Sequence, residues 1–280
     1  MNYSMIKTFK VAAGVLVFSL FTTMIVAQKG WEVGPGVGLS HYFGDLNTNY
    51  RLNKPGIAGS LNFRYNFNTR ICLKFSGNYG TVSATDADSK NIFEQQRNLS
   101  FESVIVDGSA QLEFNFLPYI HGSADEYFTP YLFGGLSAFY YNPTAEYQGQ
   151  VYELRPLGTE GQFKGEEYLP MSGAWLFGAG MKVDLNYQWS INVELGIRSA
   201  FTDYLDDVST LYPDNDDVRR DKGEIAAALS DRSLGVDNPI SKEGRQRGNA
   251  NNNDSYSIFS VSMMYYFGSI RCPEISKIRK

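Results

Sequence analysis

The chain has 280 residues, a formal net charge of -5 and a mean hydropathy of -0.29. This hydropathy excludes a multi-helix membrane protein, and the acidic balance excludes the broadly basic surface of a nucleic-acid binder. Two His and two Cys leave no room for a His-rich metal centre or a zinc ribbon. The 19 Tyr and 19 Phe in so polar a chain favour a sheet protein with aromatic belts.

The first 27 residues are predicted to be a signal peptide. Lys7 and Lys10 precede an apolar run over residues 11–26, and Ala27 ends a small-residue cleavage site. An uncleaved transmembrane anchor is the alternative, because the run is only just short of a span. Cleavage is favoured, because no stop-transfer charge cluster follows directly. The mature chain then has 23 basic and 30 acidic residues, and it leaves the cytoplasm.

The mature chain shows eight runs in which apolar and polar residues alternate, the pattern of half-buried β-strands. The fifth run is apolar on both faces, so its phase stays ambiguous. The runs cover residues 31–40, 57–67, 71–79, 104–116, 131–140, 175–187, 189–198 and 259–267.

The connections between these runs alternate in length, which indicates the fold more strongly than the strands do. Long loops follow the odd-numbered runs, at 43–55, 82–98, 141–173 and 202–254, and shorter turns follow the even-numbered ones. Outer-membrane barrels have short periplasmic turns, long outer loops and strands that alternate apolar-out with polar-in. The sequence therefore predicts an all-β fold, an eight-stranded antiparallel transmembrane β-barrel. Its parts are a signal peptide (1–27), the barrel (28–268) and a short, basic periplasmic tail (269–280).

A water-soluble sandwich or lipocalin also alternates, but its apolar face points inward. The signal peptide, the loop asymmetry and the aromatic last strand favour the membrane barrel instead. The polar face then lines the lumen, and its charges nearly cancel, as buried charges must be paired. An eight-stranded barrel is just wide enough for side chains to fill it, so we expect a salt-bridged plug and no conduction. The predicted lumen network consists of Glu32, Arg64, Lys74, Asp107, Glu113, Lys182, Asp184, Glu194 and Arg198.

The periplasmic end carries two further predictions. Cys72 begins the third run and Cys272 lies five residues past Phe267, so a disulfide between them would pin the tail under the barrel. Two free thiols are the equally weighted alternative. The tail also presents a basic surface that suits an acidic partner, although an ordinary solubilising terminus has the same composition. Its basic residues are Arg271, Lys277, Arg279 and Lys280.

Signals for chemistry are few, and no catalytic, cofactor-binding or metal-binding residue is predicted. The glycine-rich stretch 34–38 lacks the spacing and the following helix of a phosphate loop. His41 lies near Asp45 in sequence, but no nucleophile elbow accompanies the pair. Loop 202–254 holds twelve acidic residues without the glycine and terminal Glu of an EF-hand loop. It is expected to be either a solvated outer loop or a segment folded over the barrel mouth.

Several stretches of the mature chain resemble the PorG family of outer-membrane barrels. They are residues 42–47 (YFGDLN), 202–209 (TDYLDDVS), 230–235 (SDRSLG), 247–256 (RGNANNNDSY) and 271–273 (RCP). The resemblance implies a non-enzymatic component of the type IX protein secretion system. It also implies that the barrel, in the outer-membrane lipid, anchors or assembles a periplasmic ring of PorK- and PorN-like proteins. The alternatives are an OmpA-like structural or adhesive barrel and a small porin, which the charged lumen disfavours.

Overall fold

Eight long strands close into one antiparallel barrel, which confirms the predicted fold class. The computed structural model describes residues 29–163, 165–234 and 240–268, so the predicted signal peptide and tail lie outside the described residues. Each barrel strand pairs with its neighbour along the chain, and the first strand pairs with the last to close the cylinder. The barrel strands are β1 (Gly30–Phe43), β2 (Gly56–Asn66), β3 (Ile71–Thr85), β4 (Ser100–Asn115), β5 (Phe128–Tyr147), β7 (Met171–Asp184), β8 (Trp189–Ala200) and β9 (Ser255–Tyr266).

The period-two pattern sorts the side chains into an apolar exterior and a polar interior. On β1, Trp31 is 52% exposed and Val37 71% exposed, whereas Glu32 between them is 1% exposed. The ambiguous fifth run is resolved on β5, where Leu132 faces out and Tyr131 faces in. The exterior matches a lipid environment, because outer-membrane barrels carry an apolar band around a polar lumen.

The strands on the loop-rich side run further than the sequence pattern suggested. β3 continues to Thr85 and β5 is 20 residues long, so the starts of the predicted loops 82–98 and 141–173 are strand. A short strand, β6 (Gln150–Glu153), extends β5 as a hairpin beyond the barrel wall. These extensions form because their inward residues, among them Val82, still have an apolar core to enter.

That core lies inside the outer mouth of the barrel. It combines strand ends with loop residues and includes Tyr42, Leu46, Phe101, Phe139, Tyr141, Leu205, Leu229 and Tyr256. In the described parts of the connecting loops there are three short helices: α1 (Ile92–Arg97), α2 (Asn215–Lys222) and α3 (Glu224–Ser230). No helix in the described ranges has the length and apolar character needed to cross a membrane. The described parts of loop 202–254, residues 202–234 and 240–254, fold over the mouth, which is the second of the two expected arrangements.

Candidate functional site

The lumen holds a continuous network of ion pairs near its periplasmic half. Arg64 Nη1 lies 2.9 Å from Glu32 Oε2, and Arg64 Nε lies 2.8 Å from Glu113 Oε2. Lys182 Nζ reaches the same Glu113 oxygen at 2.6 Å and also donates to Asn115 Oδ1 at 3.0 Å. These charged side chains are almost completely buried. Their strands are far apart in sequence, and only closure of the barrel brings them together.

Two further ion pairs lie toward the outer end of the lumen. Lys74 Nζ lies 2.5 Å from Glu194 Oε2 and 3.9 Å from Glu113 Oε1, which links the two carboxylates. Arg198 Nε lies 3.2 Å from Asp107 Oδ2 and forms a separate pair above them. Aromatic hydroxyls fill the remaining acceptor positions: Tyr131 donates to Glu194 and Tyr256 donates to Asp107.

Asp184, the ninth predicted residue, lies at the periplasmic mouth and joins the network only through a histidine. The turn 116–127 folds back so that His121 Nε2 lies 3.2 Å from Glu32 Oε1 and Nδ1 lies 3.0 Å from Asp184 Oδ1. Tyr119 also donates to Asp184. His121 is not part of the predicted lumen network, because nothing in its sequence neighbourhood indicates that the turn re-enters the barrel.

His121 also corrects the charge balance of the lumen. Burial lowers the pKa of His121, but hydrogen bonds to Asp184 and Glu32 outweigh it and raise that pKa from 6.5 to about 9. A protonated His121 therefore supplies a fifth positive charge against the five carboxylates of the network. The periplasmic mouth is closed by a charged residue that the strand pattern alone could not reveal.

Cys72 is buried in this same region. Its Sγ lies 3.5 Å from Lys182 Nζ and 3.7 Å from Asn115 Nδ2. Cys272 lies outside the described residues, so the bridge between them stays a prediction. Arg271, Lys277, Arg279 and Lys280 also lie outside the described residues, and the basic docking surface likewise remains a prediction.

A second cluster of buried polar residues, which the sequence did not predict, closes the outer mouth. The Tyr42 hydroxyl contacts Asp206 Oδ2 at 2.5 Å and Asp254 Oδ1 at 2.7 Å. Burial, and then the charges of neighbouring carboxylates, raise the pKa of Asp206 well above its usual value, and burial also raises the pKa of Asp254. One tyrosine proton cannot serve two carboxylates, so this cluster favours holding an additional proton. Both acids belong to the motif stretches 202–209 and 247–256.

Two buried arginines connect the outer loops to each other. Arg97 forms an ion pair with Asp86 at 2.8 Å and donates to the carbonyl oxygens of Asp45 and Arg247. Arg247 lies 3.0 Å from Glu160 and donates to the Asp207 carbonyl oxygen. The loops 44–55, 86–99, 154–170 and 201–254 are therefore cross-linked into one cap.

The weaker sequence candidates find plain structural roles. Asp45 Oδ2 accepts from the Asn249 backbone N–H, and no contact joins it to His41 among the described residues. Gly36 faces the lumen, where an added Cβ would lie 2.5 Å from Ser60 Oγ and 2.3 Å from Ser262 Oγ. The glycines of this stretch therefore serve close packing inside a narrow barrel. No cluster of three or more His, Cys, Asp or Glu suited to a metal ion occurs within the described ranges.

Comparison with known proteins identifies the family. Residues 11–225 match the family model described as Domain of unknown function (DUF6089). The chain belongs to the DUF6089 family. No curated protein sequence matches it. The PorG resemblance is a separate, finer assignment that this family match does not test.

Several solved outer-membrane proteins are similar to this DUF6089 chain. OprG from Pseudomonas aeruginosa has a TM-score of 0.42 at 11% identity, over 87% of this chain and 98% of OprG. Ail of Yersinia pestis, in complex with the heparin analogue sucrose octasulfate, has a TM-score of 0.41 at 10% identity, over 86% and 99%. Neisserial surface protein A has a TM-score of 0.41 at 9% identity, over 85% and 97%. These likenesses concern the fold alone, and the barrel assignment rests on the strand pairing of this chain.

The pairing, the apolar exterior and the charged interior together define the protein. It is an outer-membrane β-barrel with eight strands, a lumen filled by paired charges and a cap of packed outer loops.

Proposed function

We propose that this protein is a non-enzymatic and non-conducting barrel whose role is positional. The observation that carries the proposal is the filled lumen. Six charged side chains form one connected network across it: Glu32, Arg64, Lys74, Glu113, Lys182 and Glu194. A solute would have to break several buried ion pairs to pass, and each break would leave an uncompensated charge.

The specific role proposed is that of a type IX secretion component that anchors or assembles the PorK–PorN ring at the outer membrane. The PorG-like stretches of the sequence support it. Three of these stretches also contribute Tyr42, Asp206 and Asp254 to the buried outer cluster, so their residues have a shared structural reason to occur together. The periplasmic turns and the basic tail are the surfaces available for docking a periplasmic ring.

An affinity pull-down from cross-linked outer membranes tests this role, with the bound proteins read by mass spectrometry. Recovery of PorK- and PorN-like ring proteins is the expected result. Replacing Arg271, Lys277, Arg279 and Lys280 together with Ser should reduce that recovery, because it removes the basic charge of the tail. A matched control replaces four exposed basic residues of the outer loop, Arg219, Arg220, Lys242 and Arg245, with Ser and should leave recovery unchanged.

Two results would count against the proposal. Equal recovery from the tail variant and the wild type would mean that the tail is not the dock. Recovery of the barrel without any ring protein would remove the secretion role and leave the fold untouched.

The second candidate is an OmpA-like structural or adhesive barrel that works through its outer loops. The ordered, cross-braced cap favours it, because Arg97 and Arg247 hold four loops in one arrangement. Deleting the barrel gene should then reduce surface attachment or envelope integrity while the export of secreted proteins continues normally.

A further inference from the structure

The outer cap contains a pocket of about 750 Å³ that the secretion role does not use. It lies between the loop 44–55, helix α1 and the segment 246–255. Its volume falls within the roughly 300–1,000 Å³ range of small-molecule sites. The pocket opens on the loop-rich end, which faces the cell exterior in an outer-membrane barrel.

Aromatic rings form part of the pocket wall. Tyr50 is 74% exposed and its ring centroid lies 5.4 Å from that of Phe43, while Phe93 contributes a second exposed ring from α1. The Tyr50 backbone has φ of 51°, a left-handed conformation that costs free energy in a residue other than glycine. The cap therefore holds an exposed apolar ring in a strained position at the edge of a polar pocket.

Side-chain amides and the Glu94 carboxylate supply part of the polar wall. The Asn252 and Asn253 side-chain amides line the pocket and make no hydrogen bond to other described residues. Glu94 Oε1 accepts from Thr48 and Asn91, whereas its buried Oε2 has no protein partner. A buried acceptor without a donor is costly, and a small rotation of the Glu94 side chain toward the pocket that it lines would let a ligand hydroxyl satisfy it.

The floor of the pocket is rigid. Arg97 binds the carbonyl oxygens of Asp45 and Arg247, and Asp45 in turn accepts from the Asn249 N–H at 2.7 Å. These contacts fix the three walls relative to one another before any ligand arrives. Preorganisation of this kind lowers the entropic cost of binding.

This combination selects one class of ligand. A saccharide presents apolar C–H faces to the rings and hydroxyls that both donate and accept, which suits the amides and Glu94 Oε2. An anionic ligand would meet the Asp45 and Glu94 carboxylates, while Arg97 and Arg247 are buried and already paired. An added peptide strand finds no free edge at this pocket, because the barrel strands that reach it are paired on both sides. We propose that this pocket binds a neutral oligosaccharide at the cell surface.

The test uses the full-length barrel in phosphatidylcholine nanodiscs, screened against an array of neutral and acidic oligosaccharides. Affinities for the neutral hits are then measured by titration calorimetry. Tyr50→Gly removes the ring and accommodates the positive φ, and it should weaken binding about tenfold, which corresponds to about 1.4 kcal/mol. Glu94→Gln, which removes the negative charge and replaces one of the two carboxylate acceptors, should weaken binding by a similar factor. Tyr50→Phe should retain it.

Phe163→Ala is the matched control, because Phe163 is an exposed ring on another outer loop and does not line the pocket. It should bind like the wild type, and heat-modifiable electrophoretic mobility should show that every variant is folded. The absence of any neutral hit, a preference for acidic glycans, or equal binding by the Tyr50→Gly variant would overturn the proposal.

A second arm separates the two possible sources of the glycan. Lipid-free polysaccharide purified from the same cells is tested beside the array. Binding of that polysaccharide identifies a ligand on the cell's own surface, and binding confined to foreign glycans identifies attachment to another surface. In either case, Tyr50→Gly must weaken the binding of the glycan. Ring recovery in the pull-down should be unaffected by these variants, so the two proposals can fail separately.

Discussion

Glu113 is the residue whose replacement challenges the lumen network most directly. Its carboxylate lies 2.6 Å from Lys182 Nζ and 2.8 Å from Arg64 Nε, and all three side chains are almost completely buried. Glu113→Gln keeps the shape and a hydrogen-bond acceptor but leaves two buried cations short of a counter-charge. Breaking a buried pair from one side costs about 3–5 kcal/mol, so we expect the free energy of unfolding to fall by about that amount.

Urea unfolding in detergent micelles, followed by tryptophan fluorescence, measures this change. Glu102→Gln is the matched control: it lies on the same strand, faces outward and has no ion-pair partner in the described residues, so its stability should equal that of the wild type. The double replacement Glu113→Gln with Lys182→Gln restores the charge balance and should recover part of the loss. If Glu113→Gln lowers the free energy of unfolding by less than about 1 kcal/mol, the claim that the lumen is a mutually dependent ion-pair plug is refuted.

Three further predictions concern the periplasmic mouth, the outer mouth and the lipid-facing side of the barrel. The raised pKa of His121, about 9 in the folded state, contributes stability that is fully present below about pH 6.5 and is lost as the pH rises through 9, and His121→Gln should flatten this urea-stability profile. The raised pKa values of Asp206 and Asp254 likewise stabilise the cap at low pH, so the protection factors of amides in loop 201–254, after correction for intrinsic base-catalysed exchange, should fall as the pH rises, and Asp254→Asn should remove much of that dependence. Val261→Lys places a charge on the lipid face of β9 and should cost about 2–4 kcal/mol in bilayers, whereas an unchanged unfolding midpoint would contradict the assigned exterior.

The barrel could be predicted from the sequence because the alternation of apolar and polar residues is a local signal. Alternation along each strand sorts residues between lipid and lumen without reference to any partner strand. It left the phase open where both faces are apolar, as on β5, whose inward Tyr131 and Phe133 pack against lumen cations. The strand ends were also underestimated, since the residues beyond the bilayer pack into a mouth core that alternation cannot show.

The pairing inside the lumen could not be predicted, although its members could. Lys74 and Glu194 are 120 residues apart, and their contact depends on the curvature of the closed sheet. His121 and Asp254 gave even less signal, because each lies in a connection with no periodicity. Their roles arise when a turn or a loop folds back into the barrel, a tertiary event that no local pattern records.

Single-channel recording in planar bilayers tests the central claim, that the role is positional because the lumen is filled. The purified barrel should add no discrete conductance steps to the bare membrane across a wide voltage range, while a general porin in the same bilayer shows the sensitivity of the assay. Stable, ohmic conductance steps from the wild-type barrel would contradict the account, because ions would then be crossing a lumen that the Arg64, Glu113 and Lys182 network is argued to close.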